Sequence, residues 1–414
     1  MTGRRSALMV SAGLALATSV ACGGVDRPSP DDTTSPGSLP DEVADRLQWL
    51  PPALPPELAL HDGRLLVTGG LGWQQGDDHL AIPVTDLLVD LATGEVRDLA
   101  PPESDGPVEV LEATADRDGF VVTGVACAEA YAFPLDDRSC TPGTPVAFRL
   151  DGAAGTWTAL PFPGGTAAPL LRTWLADGAD GTVVAITTSE RPPGDRRVDR
   201  VAVLTGDRWR DIGELAPGRI VARPCVTADT VFVLSQAEGG PAPAALPATP
   251  DAATAPSGLV LRAMPLDGGA VADMPLPALD GSYGSVGSTL ACDRAGPYVT
   301  SSSAHPGESL ELLALRDGTW QAVSGEWGQG LPEEMSSTGH GIVLTVHSGG
   351  GASAYSVATE GLSARRLDAA TTYVLEDPRS GDIAAVGPVL ISGPADGPVP
   401  PAGPITIATV PFDG

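Results

Sequence analysis

One event punctuates this sequence: a short turn containing Gly or Asp, followed at once by an apolar run too short for a helix. Asp62-Gly63 precedes RLLVTG, Asp118-Gly119 precedes FVVTG and Asp180-Gly181 precedes TVVAI. Looser versions follow, with Ala228-Asp229 before TVFVL, Arg294-Ala295-Gly296 before PYVTS, His340-Gly341 before IVLTV and Ser380-Gly381 before DIAAVG. Asp-Gly between apolar runs signals a hairpin, because both central residues of the primed turns take positive φ and such turns match the twist of the strands they join. Seven such turns in 414 residues, with 51 Gly and 41 Pro, point to an all-β chain built from one repeated unit.

A second kind of turn joins a later strand pair: LLVDLATGEVRDLA, VAFRLDGAAGTWTALP, VAVLTGDRWRDIG, VLRAMPLDGGAVADMP, LLALRDGTWQAV and YSVATEGLSARRLD. The two kinds together describe a four-stranded unit, with one hairpin between strands one and two and another between strand three and the outermost strand. Trp157, Trp209 and Trp320 share a place on outer strands and are expected to pack against the next unit. This second turn occurs six times, so one unit lacks an outer strand. RLQWLPPALP at 46–55, with Trp49 in the aromatic position, is expected to supply it by pairing with the segment near 405–412. That pairing closes the ring and hides both loose strand edges.

A ring closed in this way resembles the β-propeller, and LLVTGG followed by LLVDLATGEVRDLAPP is similar to the kelch and galactose-oxidase type of repeat. The resemblance covers residues 46–414 and implies a seven-bladed β-propeller occupying 41–414.

The first residues, MTGRRSALMVSAGLALATSVACGG, have the layout of a secretory signal over 1–21: two Arg, an uncharged run, then small residues. Ser19-Val20-Ala21-Cys22 resembles the lipobox of bacterial lipoproteins, which implies acylation at Cys22. Residues 22–40, rich in Pro, Ser, Asp and Gly, are expected to form a disordered linker from that anchor. The expected location is therefore the extracytoplasmic face of the cell membrane, with the chain lipid-anchored and monomeric. Setting Cys22 aside leaves four of five cysteines for an oxidising compartment. Cys127 and Cys140 flank one loop and are expected to staple it, leaving Cys225 to Cys292, one of three connectivities open to four cysteines.

Charge narrows the function classes. The chain has no Lys and no Asn, so all 24 basic residues are Arg, and Schiff-base and P-loop lysines are excluded. A formal net charge of −28 repels nucleic acid, which is not expected as a partner.

In a propeller the two short turn types share one face, and the connections between strands two and three share the other with the links between blades. That second face receives the long segments, among them GGLGWQQGDDHLAIP, CAEAYAFPLDDRSC, SERPPGDRRVDR, SSSAHPGES and HSGGGAS. Long, varied loops on a rigid scaffold are where recognition resides. Candidate ligand residues there are Trp73 with Asp77 and His79, either a sugar-stacking or metal patch or a solvated loop, together with His305 and His347. Arg191, Arg196, Arg197 and Arg200 form the one basic concentration, suited to an anionic ligand or to local pairing with Asp195 and Asp199.

No nucleophile elbow, Walker motif, EF-hand loop, CxxC or paired-His metal spacing occurs, so neither metal nor cofactor is expected. The leading expectation is a binding or scaffolding module for a protein or glycan ligand, working through the long-loop face. The alternative is an extracytoplasmic glycan hydrolase or lyase, because propellers assemble sites from residues on different blades. A deep axial pocket ringed by acidic and Arg side chains is the arrangement that favours the enzyme.

Overall fold

A computed structural model describes residues 37–38, 57–69, 71–74, 80–83, 86–127, 143–163, 170–191, 196–237, 259–277, 289–301, 310–327, 331–348, 351–367, 373–381, 383–387 and 406–409. The proposed signal segment, Cys22 and the stretch 46–55 lie outside them. Pro36–Gly414 forms one compact unit.

The described chain is all-β and forms a β-propeller of consecutive antiparallel sheets. Sheet 1 runs Glu57–His61, Arg64–Thr68, Leu87–Asp90, Val96–Asp98, and sheet 2 runs Val108–Ala115, Phe120–Cys127, Gly143–Asp151, Thr156–Leu160. Sheet 3 runs Leu170–Asp177, Val183–Arg191, Arg196–Thr205, Arg208–Leu215. In sheet 4, Gly218–Ile220 and Cys225–Val226 both pair with Thr230–Ala237, followed by Leu259–Pro265 and Ala272–Pro275. Sheet 5 runs Leu290–Asp293, Gly296–Ser301, Glu311–Arg316, Thr319–Ala322, and sheet 6 runs Leu331–Thr338, Gly341–Ser348, Gly351–Ala358, Ala364–Arg366. Sheet 7 takes Tyr373–Glu376, Ile383–Gly387 and Thr406–Thr409 from the end of the chain and Gly37–Ser38 from its beginning.

Two expectations are corrected here. Six sheets, not seven, have the four-stranded form of a blade; sheet 4 has five strands because its inner strand is broken. The break falls at Pro224, which has no N–H to give the ladder and disfavours helical backbone at Arg223 before it. The closing strand is Gly37–Ser38, within the segment expected to be linker, with Gly37 opposite Ile407 and Ser38 opposite Thr406.

The apolar runs lack polar alternation because each sheet is covered on both faces. Along Thr230–Ala237, Val231 and Val233 pack with Trp174, Val201 and Ile186 of sheet 3, whereas Phe232 and Leu234 pack with Leu290 and Val299 of sheet 5. Successive side chains of a strand point to opposite faces, so a central strand between two neighbours must be apolar at every step. Each Val or Leu buried this way contributes about 1.5–3 kcal/mol. The outer-strand tryptophans face the preceding sheet, not the following one as expected. Trp157 packs on the cluster shared by sheets 1 and 2 and donates its indole N–H to Ala100 O at 2.8 Å. Trp209 and Trp320 likewise pack on the clusters their sheets share with sheets 2 and 4.

The turns explain why Asp and Gly recur. Asp62 and Gly63 have φ of 51° and 69°, the two-residue hairpin expected, and Asp317 and Gly318 repeat it at 49° and 74°. Elsewhere the turn is longer and an Asp carboxylate organises it. Asp116 Oδ1 accepts from the N–H groups of Asp118 and Gly119, and Asp293 Oδ1 from those of Ala295 and Gly296. Asp151, in RLDGAAGTWTALP, accepts from Ala153 and Ala154.

Ring closure has a second contact on the turn face. Fully buried Asp377 of sheet 7 accepts from Arg379 N–H at 2.9 Å through Oδ1 and from Gly63 N–H of sheet 1 at 3.0 Å through Oδ2. Asp377→Ala orphans these donors and is expected to cost about 1–3 kcal/mol, read as a lower denaturant midpoint with an unchanged m-value.

Candidate functional site

The first strand of every sheet lies innermost, and together these strands surround an axial cavity of about 300 Å³. Its polar lining comes from Glu57 of sheet 1, Thr114 of sheet 2, Asp177 of sheet 3, Arg223 of sheet 4, Glu334 of sheet 6 and Glu376 of sheet 7, with Leu290 of sheet 5 among the apolar residues.

Arg223 organises the cavity. The break at Pro224 frees it from the strand, and its guanidinium reaches three other sheets. Nη2 donates to Glu112 Oε2 at 2.8 Å and lies 3.6 Å from Glu57 Oε2, while Nε donates to Leu175 O at 3.3 Å. Cys225, two residues on, is bonded to Cys292 of sheet 5, with 5.5 Å between their Cα atoms. A proline and a disulfide therefore flank the backbone that carries this arginine.

The carboxyl groups respond to burial. Desolvation raises Glu112 to about 8; Arg223 works against the shift and Glu57 adds to it. Burial also raises Glu57, opposed by Arg223. The Glu57–Glu112 pair thus holds a proton that separate exposed carboxylates would have lost. Glu376 is pushed up to about 7 by burial, against the N–H of Gly339 donating to it at 2.6 Å. Asp177 is raised by burial, opposed by the Thr114 hydroxyl at 2.8 Å. Arg223 remains cationic: burial opposes its charge, but Glu112 and Glu57 together raise it above the ordinary arginine range.

The shift at Glu112 gives a pH dependence with a definite sign. Between its usual value of 4.5 and about 8, the folded chain binds more protons at Glu112 than the unfolded chain. Stability from this group is full below that window and falls as pH rises through it.

The residues expected from the loops do not join this cluster. Trp73 lies in a two-stranded ribbon, Leu71–Gln74 with Leu80–Pro83, opposite Ala81 and between strands two and three of sheet 1. Asp77, His79, His305 and Cys140 lie outside the described residues. Arg191 and Arg196 face each other across strands two and three of sheet 3, and Arg197 stands opposite Glu190. Arg200 forms an ion pair with Glu214 at 3.5 Å, a partner other than the Asp195 and Asp199 considered for this group. His347 stands opposite Leu331 and Ala352 in sheet 6. Cys127 is buried and disulfide-bonded, and Cys225–Cys292 is the expected pair. Among the described residues no group of three or more His, Cys, Asp or Glu is placed to hold a metal ion.

The axial residues were missed because they come from strands some 50 residues apart and form no linear motif. The available signal was an ionisable residue inside an apolar inner strand: Glu57 before LAL, Glu112 in VEVLEATA, and Arg223-Pro224 in RIVARPCV.

No protein-family model and no curated protein matches the chain. Solved β-propellers do. The β-propeller domain of the Trilobed protease from Pyrococcus furiosus is 10% identical with a TM-score of 0.44, over 78% of this chain and 86% of that one. Uncomplexed acylaminoacyl peptidase from Pyrococcus horikoshii is 9% identical with a TM-score of 0.50, over 80% of this chain and 48% of the peptidase. An oligogalacturonate lyase in complex with manganese is 11% identical with a TM-score of 0.48, over 84% of this chain and 86% of the lyase. The chain spans about half the length of the peptidase, 48%. At these identities the likeness is one of fold alone.

Proposed function

We propose that the chain is an extracytoplasmic lipoprotein, anchored through Cys22, whose propeller is built of degenerate kelch-like repeats. Its axial cavity binds a small polar ligand and carries out acid–base chemistry on it, as a hydrolase or lyase acting on glycans. The observation carrying this reading is that Arg223 and Glu376, the latter raised to about 7, line the cavity, and that Arg223 is paired at 2.8 Å with buried Glu112, raised to about 8. A carboxyl group that titrates near neutral pH can give and take a proton at working pH, whereas an ordinary carboxylate is a poor acid there. Arg223 is a fixed cation for the negative charge that develops beside a uronate carboxylate when its α-proton is removed and the glycosidic bond is eliminated, which favours the lyase, since hydrolysis develops positive charge on the sugar instead. The long-loop face, expected to bind, is built largely from segments outside the described residues, and no observation favours it over the axial site.

The test is turnover by the full chain in detergent against neutral and uronate-containing oligosaccharides. The wild type is expected to cleave one class, and Glu112→Gln to lower kcat by about a hundredfold or more. The same substitution is expected to reduce the fall in stability between pH 5 and pH 8, which denaturant melts at the two pH values measure. Absence of turnover across both classes removes the enzymatic reading.

A further inference from the structure

The axial channel is polarised along its length. Every inner strand is followed by a short hairpin, so all of them run from the long-loop side to the turn side. Arg172 stands near the start of Leu170–Asp177 in sheet 3, and Arg219 near the start of Gly218–Ile220 in sheet 4. These positions put both arginines on the long-loop side of the ring, beyond the residues that line the cavity, whereas Asp177 and Glu376 end their strands on the turn side.

Both arginines are exposed, and among the described residues neither has a carboxylate within salt-bridge distance. Acidic residues outnumber basic ones 52 to 24 in this chain, so the lack of a local acid partner is not a matter of supply. Arg172 and Arg219 act on each other as like charges, and the charges of Glu112 and Glu57 also reach Arg172. The Arg172 guanidinium lies over the Trp174 ring, 3.5 Å from its centroid, which fixes its plane and leaves its edge donors for a ligand. The strand carrying Arg219 is held too: buried Arg262 donates to Ala216 O and Pro217 O just before it.

We propose that Arg172 and Arg219 form a site for an anionic group of the ligand, a carboxylate or a phosphate, which leaves the rest of the molecule directed down the channel toward Arg223 and Glu112. Planar guanidinium groups offer paired donors to two oxygens of either anion. The inference rests on the reading of the axial channel as the working site and adds the charge of its ligand.

Calorimetric titration of the full chain in detergent, with glucuronate and with inorganic phosphate as separate probes, tests it. One probe is expected to bind the wild type saturably, and Arg172→Gln and Arg219→Gln are each expected to weaken it tenfold or more. Arg200→Gln, at an arginine ion-paired with Glu214, is expected to bind as the wild type does. Saturation by glucuronate alone assigns a carboxylate, and by phosphate alone a phosphate. The site is overturned if neither probe saturates the wild type, or if both channel variants bind as it does. Turnover of a neutral glycan without anion binding would overturn this site and leave the acid–base reading standing. Anion binding lost in both variants, with no turnover of any glycan, would keep the site and remove the enzymatic reading.

Discussion

Arg223→Gln is expected to destabilise the protein by about 2–3 kcal/mol at pH 8 and by clearly less at pH 5. Removing one partner of a buried ion pair costs about 3–5 kcal/mol, because the charge left behind is uncompensated. The lower figure applies here because the Arg223 side chain is 46% exposed, although Glu112 is only 10% exposed. The pH dependence follows from the carboxyl groups. At pH 5 Glu112 is already protonated in the folded chain, so losing the guanidinium strands little charge. At pH 8 Glu57 and Glu112 must either ionise without a counter-charge or keep protons against the pH gradient. Denaturant melts of wild type and variant at the two pH values measure the difference, and an equal loss at both would show that Arg223 acts through its backbone-carbonyl contacts alone.

Removing the Cys225–Cys292 bridge by Cys→Ser at both positions is expected to cost about 4 kcal/mol. The cysteines are 67 residues apart in sequence, and cross-linking a loop of that size restricts the unfolded chain by about that amount in the chain-entropy account. The bridge also joins the inner strands of sheets 4 and 5 at a place where sheet 4 has no continuous inner strand. Thermal melts of the wild type and the double variant, both without reductant so that the bridge at Cys127 stays intact, read the effect on stability. The same bridge flanks Arg223, so the double variant is expected to weaken ligand binding in the channel as well as lower the melting temperature. A bridge that served stability alone would leave binding unchanged at temperatures where the variant is folded.

The parts of this molecule legible in its sequence were those fixed by local backbone requirements. Asp62-Gly63 announces a tight hairpin because few residues tolerate two successive positive φ values, and RLLVTG after it reads as a strand covered on both faces. Cys225 and Cys292 could be paired by elimination. The closing strand was not legible: Gly37–Ser38 is two residues long and carries no apolar alternation in sequence, whereas Trp49 resembles the tryptophans of other outer strands. The direction in which Trp157 packs depends on which way the sheets twist against one another, which no single repeat encodes. The axial site failed for a third reason. Glu57, Glu112, Arg223 and Glu376 come from four different sheets and share no linear motif, and only the ring brings them together.

The backward-facing tryptophans bear on how the chain can be made. Trp157, Trp209 and Trp320 dock onto a sheet that left the ribosome before their own, so each new sheet meets a ready surface as synthesis proceeds. The exception is Gly37–Ser38, whose mate at Thr406–Thr409 follows all the other described strands in translation. Assembly can therefore advance sheet by sheet in the order of translation, yet the final seam must wait for the tail, and until then the earliest and latest sheets both carry an unsealed edge.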